Sequence, residues 1–162
     1  MPTTSLSNQF SIDLLNGDHN FSAAGGLAYY MLLIKPGAAG AYDKTLANVG
    51  TPGSGTPSTT NVGTDEASGS GYTSGGFALT NAGVAGYGDD GVATFTTSPS
   101  WPSATFSAIC GVIYTKDGSL GAAGRVVGVY DFGGTQTVSG GTFSVTLPTP
   151  GASTGLIRVG ST

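Results

Sequence analysis

One stretch of the sequence resembles a catalytic motif, the pentapeptide GASTG at residues 151–155. It matches G-x-S-x-G, the nucleophile elbow of many hydrolases, in which Ser153 would attack the substrate. That motif needs a strand before the serine, a helix after it, and an acid and a histidine further along the chain. Only LIRVGST follows Gly155, and it contains neither an acid nor a histidine. The sequence therefore favours a structural turn over an active site at Ser153.

The single histidine and the single cysteine are the other side chains with acid–base or nucleophilic chemistry. His19 lies in GDHNF, where a Ser-His-Asp arrangement could use it, but its polar neighbours favour a turn or capping residue. Cys110 lies in the apolar run FSAICGVIY, which predicts a buried, inert thiol. A zinc site usually recruits more than one histidine and one cysteine. We therefore predict no catalytic residue and no zinc site.

Two pairs of neighbouring acids could supply oxygen ligands to Ca²⁺, Asp65-Glu66 and Asp89-Asp90. Asp-Gly pairs such as Asp90-Gly91 are common in hairpin turns, so the turn interpretation is favoured. The sequence contains no Walker-type loop ending in GK[ST], and no dinucleotide fingerprint follows a predicted strand. We therefore predict that the protein uses no metal ion and no cofactor, and that it is not an enzyme.

The aromatic residues offer a different kind of site, a surface for a partner. Trp101 is flanked by prolines in SPSWPSATF, and it could be an exposed anchor or a core residue at a strand corner. The core is favoured, because large aromatic side chains are usually mostly buried. Five tyrosines could line a sugar-binding surface, although their spacing makes no evident stacking platform: Tyr29, Tyr30, Tyr42, Tyr72 and Tyr87.

The charge content excludes several classes of partner. Charged residues make up 9% of the chain, and the formal net charge is −4. The five Lys and Arg residues are scattered singly, whereas a nucleic-acid binder needs clustered cations. No apolar run approaches the roughly 20 residues that span a bilayer. The start, MPTTSLSNQF, lacks the cationic and apolar regions of a secretory signal. We therefore expect no nucleic acid or membrane partner, and no Sec-dependent secretion.

Glycine is unusually abundant, with 29 residues among 162, and it raises the question of disorder. The low-complexity interpretation fits TPGSGTPSTTNVGTDEASGSG, residues 51–71, and leaves open whether this stretch is ordered before assembly. Elsewhere, regularly spaced apolar segments separate the glycine clusters. The sequence therefore predicts one β-rich domain over residues 1–162, with a Gly/Ser/Thr/Pro-rich loop insertion at 37–71.

Local patterns predict the first elements. SLSNQFSIDLLNG has apolar residues at helical spacing, serine as an N-cap and Gly17 beyond its end, which indicates a short helix. LAYYMLLI, residues 27–34, ends at Pro36-Gly37 and indicates a strand covered on both faces. The 37–71 segment reads as loop, with one possible helical turn at 42–49.

The remaining pattern is that of strands and turns. We predict strands around residues 76–85, 91–97, 105–115 and 125–132, then a last hairpin that includes GTFSVTL, and a closing strand at 156–159. In GTFSVTL, Phe143, Val145 and Leu147 share one face, and Thr and Ser occupy the other. The predicted fold is an all-β antiparallel sandwich, jelly-roll-like, with a short N-terminal helix.

The polar positions of these strands carry Ser and Thr where Lys and Glu are usual. Charged edges protect monomers from pairing edge to edge. Ser and Thr faces need little desolvation when they pack against a neighbour. The scarcity of charge therefore suggests that a partner covers part of the surface.

Four segments of the second half, in this order, resemble a family of small structural proteins of tailed bacteriophages encoded near the capsid genes. They are EASGSGYTSGGFALTN (66–81), GVATFTTSPSWPSATFSAICGVIY (91–114), RVVGVYDFGGTQTVSGGTFSVTLP (125–148) and LIRV (156–159). The N-terminal NQFSIDLLNGDHNFSAAGGLAYYMLLI resembles the opening helix and first strand of that family. The chain departs from the pattern in an insertion at 37–64 and in its unusually apolar FSAICGVIY.

The resemblance implies a non-enzymatic virion protein, made in the bacterial cytoplasm, that binds the capsid exterior and stabilises the head as a decoration or cement protein. Its partners would be the major capsid protein and further copies of itself, as a homodimer or homotrimer. The alternative is a tail- or vertex-associated module that recognises the host through surface carbohydrate. The surfaces expected to meet a partner are the 37–64 loop, the N-terminal segment and the turns around Trp101, with Trp101, Tyr42 and Phe10 as contact residues.

Overall fold

The computed structural model describes residues 1–116, 124–149 and 154–160. These residues form an all-β antiparallel sandwich with one short helix near the N-terminus, which confirms the predicted fold class. The elements in chain order are β1 (Ser5–Leu6), α1 (Asn8–Leu15), β2 (Tyr29–Ile34), a 3₁₀ turn (Gly63–Asp65), β3 (Phe77–Leu79), β4 (Asn81–Tyr87), β5 (Asp90–Phe95), β6 (Ser100–Thr115), β7 (Val126–Ser144) and β8 (Ile157–Gly160).

Helix α1 begins and ends where its sequence predicts. The Ser7 hydroxyl accepts the backbone N–H of Gln9, which caps the first turn, and Gly17 lies just past the end with φ +77°. Phe10 and Asp13 are the buried positions of the helix. Within the described part of the chain, no helix is long and apolar enough to cross a membrane.

The strands form two sheets. The five-stranded sheet has the order β1-β7-β6-β2-β3, and the three-stranded sheet has the order β4-β5-β8. One core lies between the two sheets and beneath helix α1. It includes Met31, Ile113 and Val127 of the larger sheet, Ala93, Phe95 and Ile157 of the smaller one, and Phe10 of the helix.

The opposite face of the larger sheet is covered by the 37–64 segment. Tyr42, Leu46, Val49 and Val62 of this segment pack with strand residues such as Val112 in a second core. Strand β2 is therefore buried on both faces, as its continuous apolar run predicts. Three layers result: the smaller sheet with the helix, the larger sheet, and the 37–64 segment.

The possible helical turn at 42–49 is not present. A bend and turn occupy residues 43–45 instead. The Asp43 carboxylate accepts both the backbone N–H and the hydroxyl of Thr45, at 2.7 and 2.6 Å. Such local side-chain bonds offer the backbone an alternative to a helix.

The strand predicted at 76–85 is two strands that belong to different sheets. Strand β3 pairs with β2 in the larger sheet, and β4 pairs with β5 in the smaller one. The chain crosses between the sheets at Thr80, whose carbonyl accepts the N–H of Thr96 at 2.8 Å. The residue pattern does not mark this crossing, although the two strands differ in burial: β3 carries the buried Leu79, whereas no residue of β4 is buried.

The hairpin predicted between 125–132 and 141–147 was wrong. Strand β7 continues from Val126 to Ser144 and pairs along its length with β6. Gly133 and Gly140 lie between the two predicted strands; they have φ values of +73° and +66° and lie where the β6–β7 register shifts. Glycine at positive φ serves a β-bulge as well as a turn. Residues 116–125 connect β6 and β7, and of these 117–123 lie outside the described residues.

The predicted alternation at the end of β7 is confirmed. Phe143 and Leu147 are buried, whereas Thr142, Ser144 and Thr146 are exposed. The closing strand is confirmed as β8, which pairs with β5 in the smaller sheet.

Candidate functional site

Among the described residues, those with catalytic chemistry do not assemble into an open site. Ser153 lies outside the described residues. His19 is a core residue, so the prediction of a turn or capping role was wrong. Its side chain is fully buried, with Nδ1 3.1 Å from the Tyr29 hydroxyl and Nε2 3.8 Å from Asp13 Oδ2. Arg125 forms an ion pair with the same Asp13 carboxylate.

The environment of His19 is that of a structural polar cluster. The rings of Phe10, Phe21 and Tyr29 surround the imidazole with centroids 4.7 to 6.0 Å away. Burial lowers the pKa of His19, the nearby Asp13 carboxylate opposes this shift, and the Arg125 charge adds to it. The imidazole is thus favoured in its neutral form and has no access to a substrate.

The acids considered as calcium ligands are used to fasten loops. Asp65 Oδ2 accepts the N–H groups of Ala39 and Gly40, at 2.8 Å each, and the Tyr42 hydroxyl at 2.9 Å. Glu66 accepts bonds from Tyr72, Ser74 and the N–H of Gly75. In the smaller sheet, Asp90 pairs with Arg158. Among the described residues no group of three or more potential metal ligands occurs.

Cys110 is buried in the second core, as predicted. Burial raises the pKa of its thiol to about 12, and the Asp131 charge adds to the shift. A thiol with so little thiolate at neutral pH is a poor nucleophile. Its role is therefore packing.

The residues expected to contact a partner are core residues instead. Phe10, Tyr42 and Trp101 expose 1%, 4% and 3% of their surface. Phe10 packs between helix and sandwich, Tyr42 beneath the 37–64 layer, and Trp101 in a third core with Phe106 and Phe143. Each side chain is already enclosed by its own chain, so none of the three is exposed for contact with a partner.

Three of the five tyrosines considered for a sugar-binding surface pack within the fold. Tyr29 and Tyr42 are buried, and burial raises the pKa of Tyr42, with the Asp65 hydrogen bond adding to the shift. Tyr72 is half-buried, donates its hydroxyl to Glu66, and packs against Trp101 with ring centroids 6.0 Å apart. These side chains support the fold rather than an exposed stack.

An apolar patch near helix α1 is the first candidate contact surface. It consists of Val84 (65% exposed) and Val159 (54% exposed) of the smaller sheet, together with Leu14 of the helix. Helix α1 also exposes Leu15 (90%) and Ile12 (54%). Leu14, Val84 and Val159 line one small crevice of about 120 Å³ between the helix and the smaller sheet. Exposed large apolar side chains grouped around a crevice indicate a site where another molecule binds.

The outer edge of β7 is the second candidate surface, and two hydrogen bonds show how its backbone is directed. Val145 donates its N–H to the Pro99 carbonyl at 2.9 Å. Because backbone groups alternate along a strand, Phe143 also faces β6, whereas Thr142 and Ser144 direct their N–H and C=O groups outward.

For the residues of β7 that precede the bulge at Gly140, the backbone direction follows from a hydrogen bond made by the neighbouring strand β6. Thr105 donates its N–H to the Ser70 carbonyl at 2.9 Å, away from β7. Its β7 partner Ser139 therefore directs its backbone groups outward, and so does Thr137. Strand β1 pairs with this edge at Gly128 and Val129. Within the described part of the chain no further strand pairs along residues 132–144.

A groove of about 570 Å³ accompanies this edge. Its apolar lining comes from Phe132, Val138, Phe143 and Val145, and residues 132–148 contain no charged side chain. We call residues 132–146 with this groove the β7 edge. A long unpaired edge without charge is a template for pairing with another strand.

Neither surface stood out in the sequence. Val84 and Val159 are apolar residues of predicted strands, where a strand pattern does not distinguish interior from exposed positions. The glycines of β7 made one long strand resemble two strands joined by a turn. The chain was also compared with protein-family models, with curated proteins and with solved structures. None of the three comparisons found a match.

Proposed function

We propose that this chain is a non-enzymatic structural protein of a bacteriophage particle that binds the outer surface of the head and stabilises it. The observation that carries the proposal is the apolar patch, where Val84 exposes 65% and Val159 exposes 54% of its surface. Burying such side chains against a partner is favourable by about 1.5–3 kcal/mol each.

The chemistry of the described residues supports a binding role. The single histidine is enclosed, the acids fasten loops, and the single thiol is buried. The sparse charge of the chain lowers the desolvation cost of laying a large surface against another protein.

The nature of the partner is supported by the sequence resemblance to small phage proteins encoded near the capsid genes. That resemblance favours the major capsid protein as the partner and the capsid exterior as the location. A capsid presents the same site many times, so modest contacts add up to particle stability. The carbohydrate-binding alternative has less support, because Tyr29 and Tyr42 are buried.

The test uses capsids assembled without this protein. Added protein is expected to bind at a copy number of the same order as the capsid subunit and to raise the temperature at which the particles disrupt. Quantitative mass spectrometry of purified particles gives the copy number, and light scattering during heating gives the disruption temperature. No binding, or binding without a thermal shift, would contradict the proposal.

The variant Val84→Lys with Val159→Lys tests the apolar patch. We expect at least about tenfold weaker capsid binding, since two exposed apolar contacts are lost. The matched control is Ser68→Lys with Thr73→Lys, which adds the same charge at two other exposed positions. Equal binding by both variants would exclude the patch as the contact. Unchanged unfolding midpoints would confirm that both variants are folded.

A further inference from the structure

The outward-facing backbone groups of the β7 edge have a symmetric order. From residue 137 to 144 they face outward at Thr137, Ser139, Thr142 and Ser144, and the other four residues of this stretch face β6. Because Gly140 is the extra residue of a bulge, two inward residues stand side by side at the centre. The order therefore reads the same from both ends, with its midpoint between Gly140 and Gly141.

This symmetry decides which strand fits the edge. A regular strand alternates strictly, so it can match the outward groups on one side of the bulge at a time. A second β7, turned by 180°, carries the same bulge at the same place. It sets Ser139 opposite Thr142 and Thr137 opposite Ser144, and every outward donor on one copy then meets an outward acceptor on the other.

We propose that β7 pairs with β7 of a second copy of this chain, antiparallel, about a two-fold axis between Gly140 and Gly141. The pairing joins the five-stranded sheets of two copies edge to edge. It is an isologous contact, in which the same surface serves both partners.

The side chains support this pairing on both faces of the sheet. On the groove side, Phe143 of one copy lies opposite Val138 of the partner subunit, an aromatic and β-branched pair. On the other face, Thr and Ser lie opposite Ser and Thr, pairs that also favour adjacent strands. An added Cβ on Gly140 would meet no atom within 4 Å, which leaves the axis open for close approach.

Charge also favours a second copy as the occupant. A chain with net charge −4 repels itself wherever acids lie at the contact, whereas residues 132–148 carry no charge. The nearest described acid on this strand is Asp131, whose N–H binds the Thr4 hydroxyl of the N-terminal segment.

The first test measures the mass of the isolated full-length protein by sedimentation equilibrium over a range of micromolar concentrations. We expect twice the 15.9 kDa of one chain. Ser139→Lys with Thr142→Lys places four ammonium groups around the axis and is expected to give a monomer. Both side chains are exposed, so the variant should keep the wild-type fold, which its circular dichroism spectrum checks. The control Ser68→Lys with Thr73→Lys carries the same added charge and should remain dimeric.

A second test fixes the register. Opposed residues of a hydrogen-bonded antiparallel pair have Cα atoms about 5.5 Å apart, within the range of a disulfide. Oxidised Ser139→Cys with Thr142→Cys is expected to run as a covalent dimer on a non-reducing gel, and Ser68→Cys with Thr73→Cys as a monomer.

A monomeric or trimeric wild-type protein would overturn the proposal. So would a dimer that survives the two lysines and fails to cross-link through residues 139 and 142. The inference does not depend on capsid binding. Its tests use the isolated protein, whereas the proposed function is tested on particles, so failure of one leaves the other standing.

Discussion

At the scale of single residues, the buried polar cluster joins parts of the chain that are far apart in sequence. Asp13 on helix α1 binds Arg125, which precedes β7, and lies beside His19, which contacts Tyr29 on β2. The Gln9 side chain also donates to Asp13, at 2.8 Å. This ion pair is costly to break, because the Asp13 carboxylate, 1% exposed, would stay enclosed without its cation.

The sequence could not predict this cluster. Asp13 and Arg125 are separated by 112 positions, and nothing in either segment indicates the other. The polar neighbours of His19 in GDHNF correctly indicate irregular backbone, but the direction of the imidazole depends on the packing of Phe10 and Phe21 around it. Burial of a residue in a loop is decided by the tertiary fold.

The lowered pKa of His19 predicts how stability depends on pH. The unfolded chain, with an ordinary histidine pKa of 6.5, binds the proton more readily than the folded protein does. The stability that the protein gains from burying neutral His19 is therefore fully present above pH 6.5, and it is lost as the pH falls below that value. We expect the urea midpoint to decrease from about pH 7 to about pH 5.5, and to decrease less in His19→Gln.

Nuclear magnetic resonance gives an independent check, because the sequence has a single histidine. The titration of its ring protons should yield a pKa below 6.5. A value at or above 6.5, or the same pH dependence of the urea midpoint in both proteins, would contradict the prediction.

At the scale of elements, local sequence patterns predicted the structure correctly where a pattern is typical of only one kind of element. Capping residues and apolar spacing located helix α1, and the run before Pro36-Gly37 located β2. The same reasoning failed at β7, since glycine and serine have the same local signature in a turn and in a bulged strand. It also failed at 76–85, where one apolar pattern continues across two strands in different sheets.

Gly76, at the start of β3, is an element-scale requirement that can be tested. It has φ +78°, and a Cβ there would lie 2.0 Å from the Met31 carbonyl oxygen on the neighbouring strand. Gly76→Ala is expected to lower the free energy of unfolding by about 3 kcal/mol, through backbone strain and displacement of β2. Urea unfolding measures this change.

Gly88 provides the matched control. It has φ +62°, but a Cβ there would meet no atom within 4 Å. Gly88→Ala should therefore lower the free energy of unfolding by only about 1 kcal/mol, from the unfavourable backbone conformation alone. Similar losses for the two variants would show that contact with β2 does not matter at Gly76.

At the scale of the whole molecule, the fold class followed from composition and strand spacing, but the contact surfaces did not. Trp101, Tyr42 and Phe10 drew attention as large aromatic residues, and all three are inside the protein. The exposed Val84 and Val159 lie in predicted strands, where a strand pattern does not distinguish interior from exposed positions. A sequence pattern indicates which residues share a face, whereas the arrangement of the sheets determines whether that face is buried.

Two surfaces on one molecule predict a difference in avidity. A dimer formed through the β7 edge carries two apolar patches, so it can bind two capsid sites when their spacing fits. We expect the monomeric Ser139→Lys, Thr142→Lys variant to bind capsids at least about tenfold more weakly than the wild type. A capsid titration measures this difference. Equal apparent affinities would indicate that each copy binds alone.

The single cysteine has a consequence for the ageing of the protein in air. With one thiol per chain, any disulfide it forms within a preparation of this protein must link two copies. Cys110 lies between the larger sheet and the 37–64 layer, so oxidation requires that layer to lift in both chains. Covalent dimers through Cys110 would thus accumulate only as fast as this cover opens, and their slow appearance during storage would record how often it does.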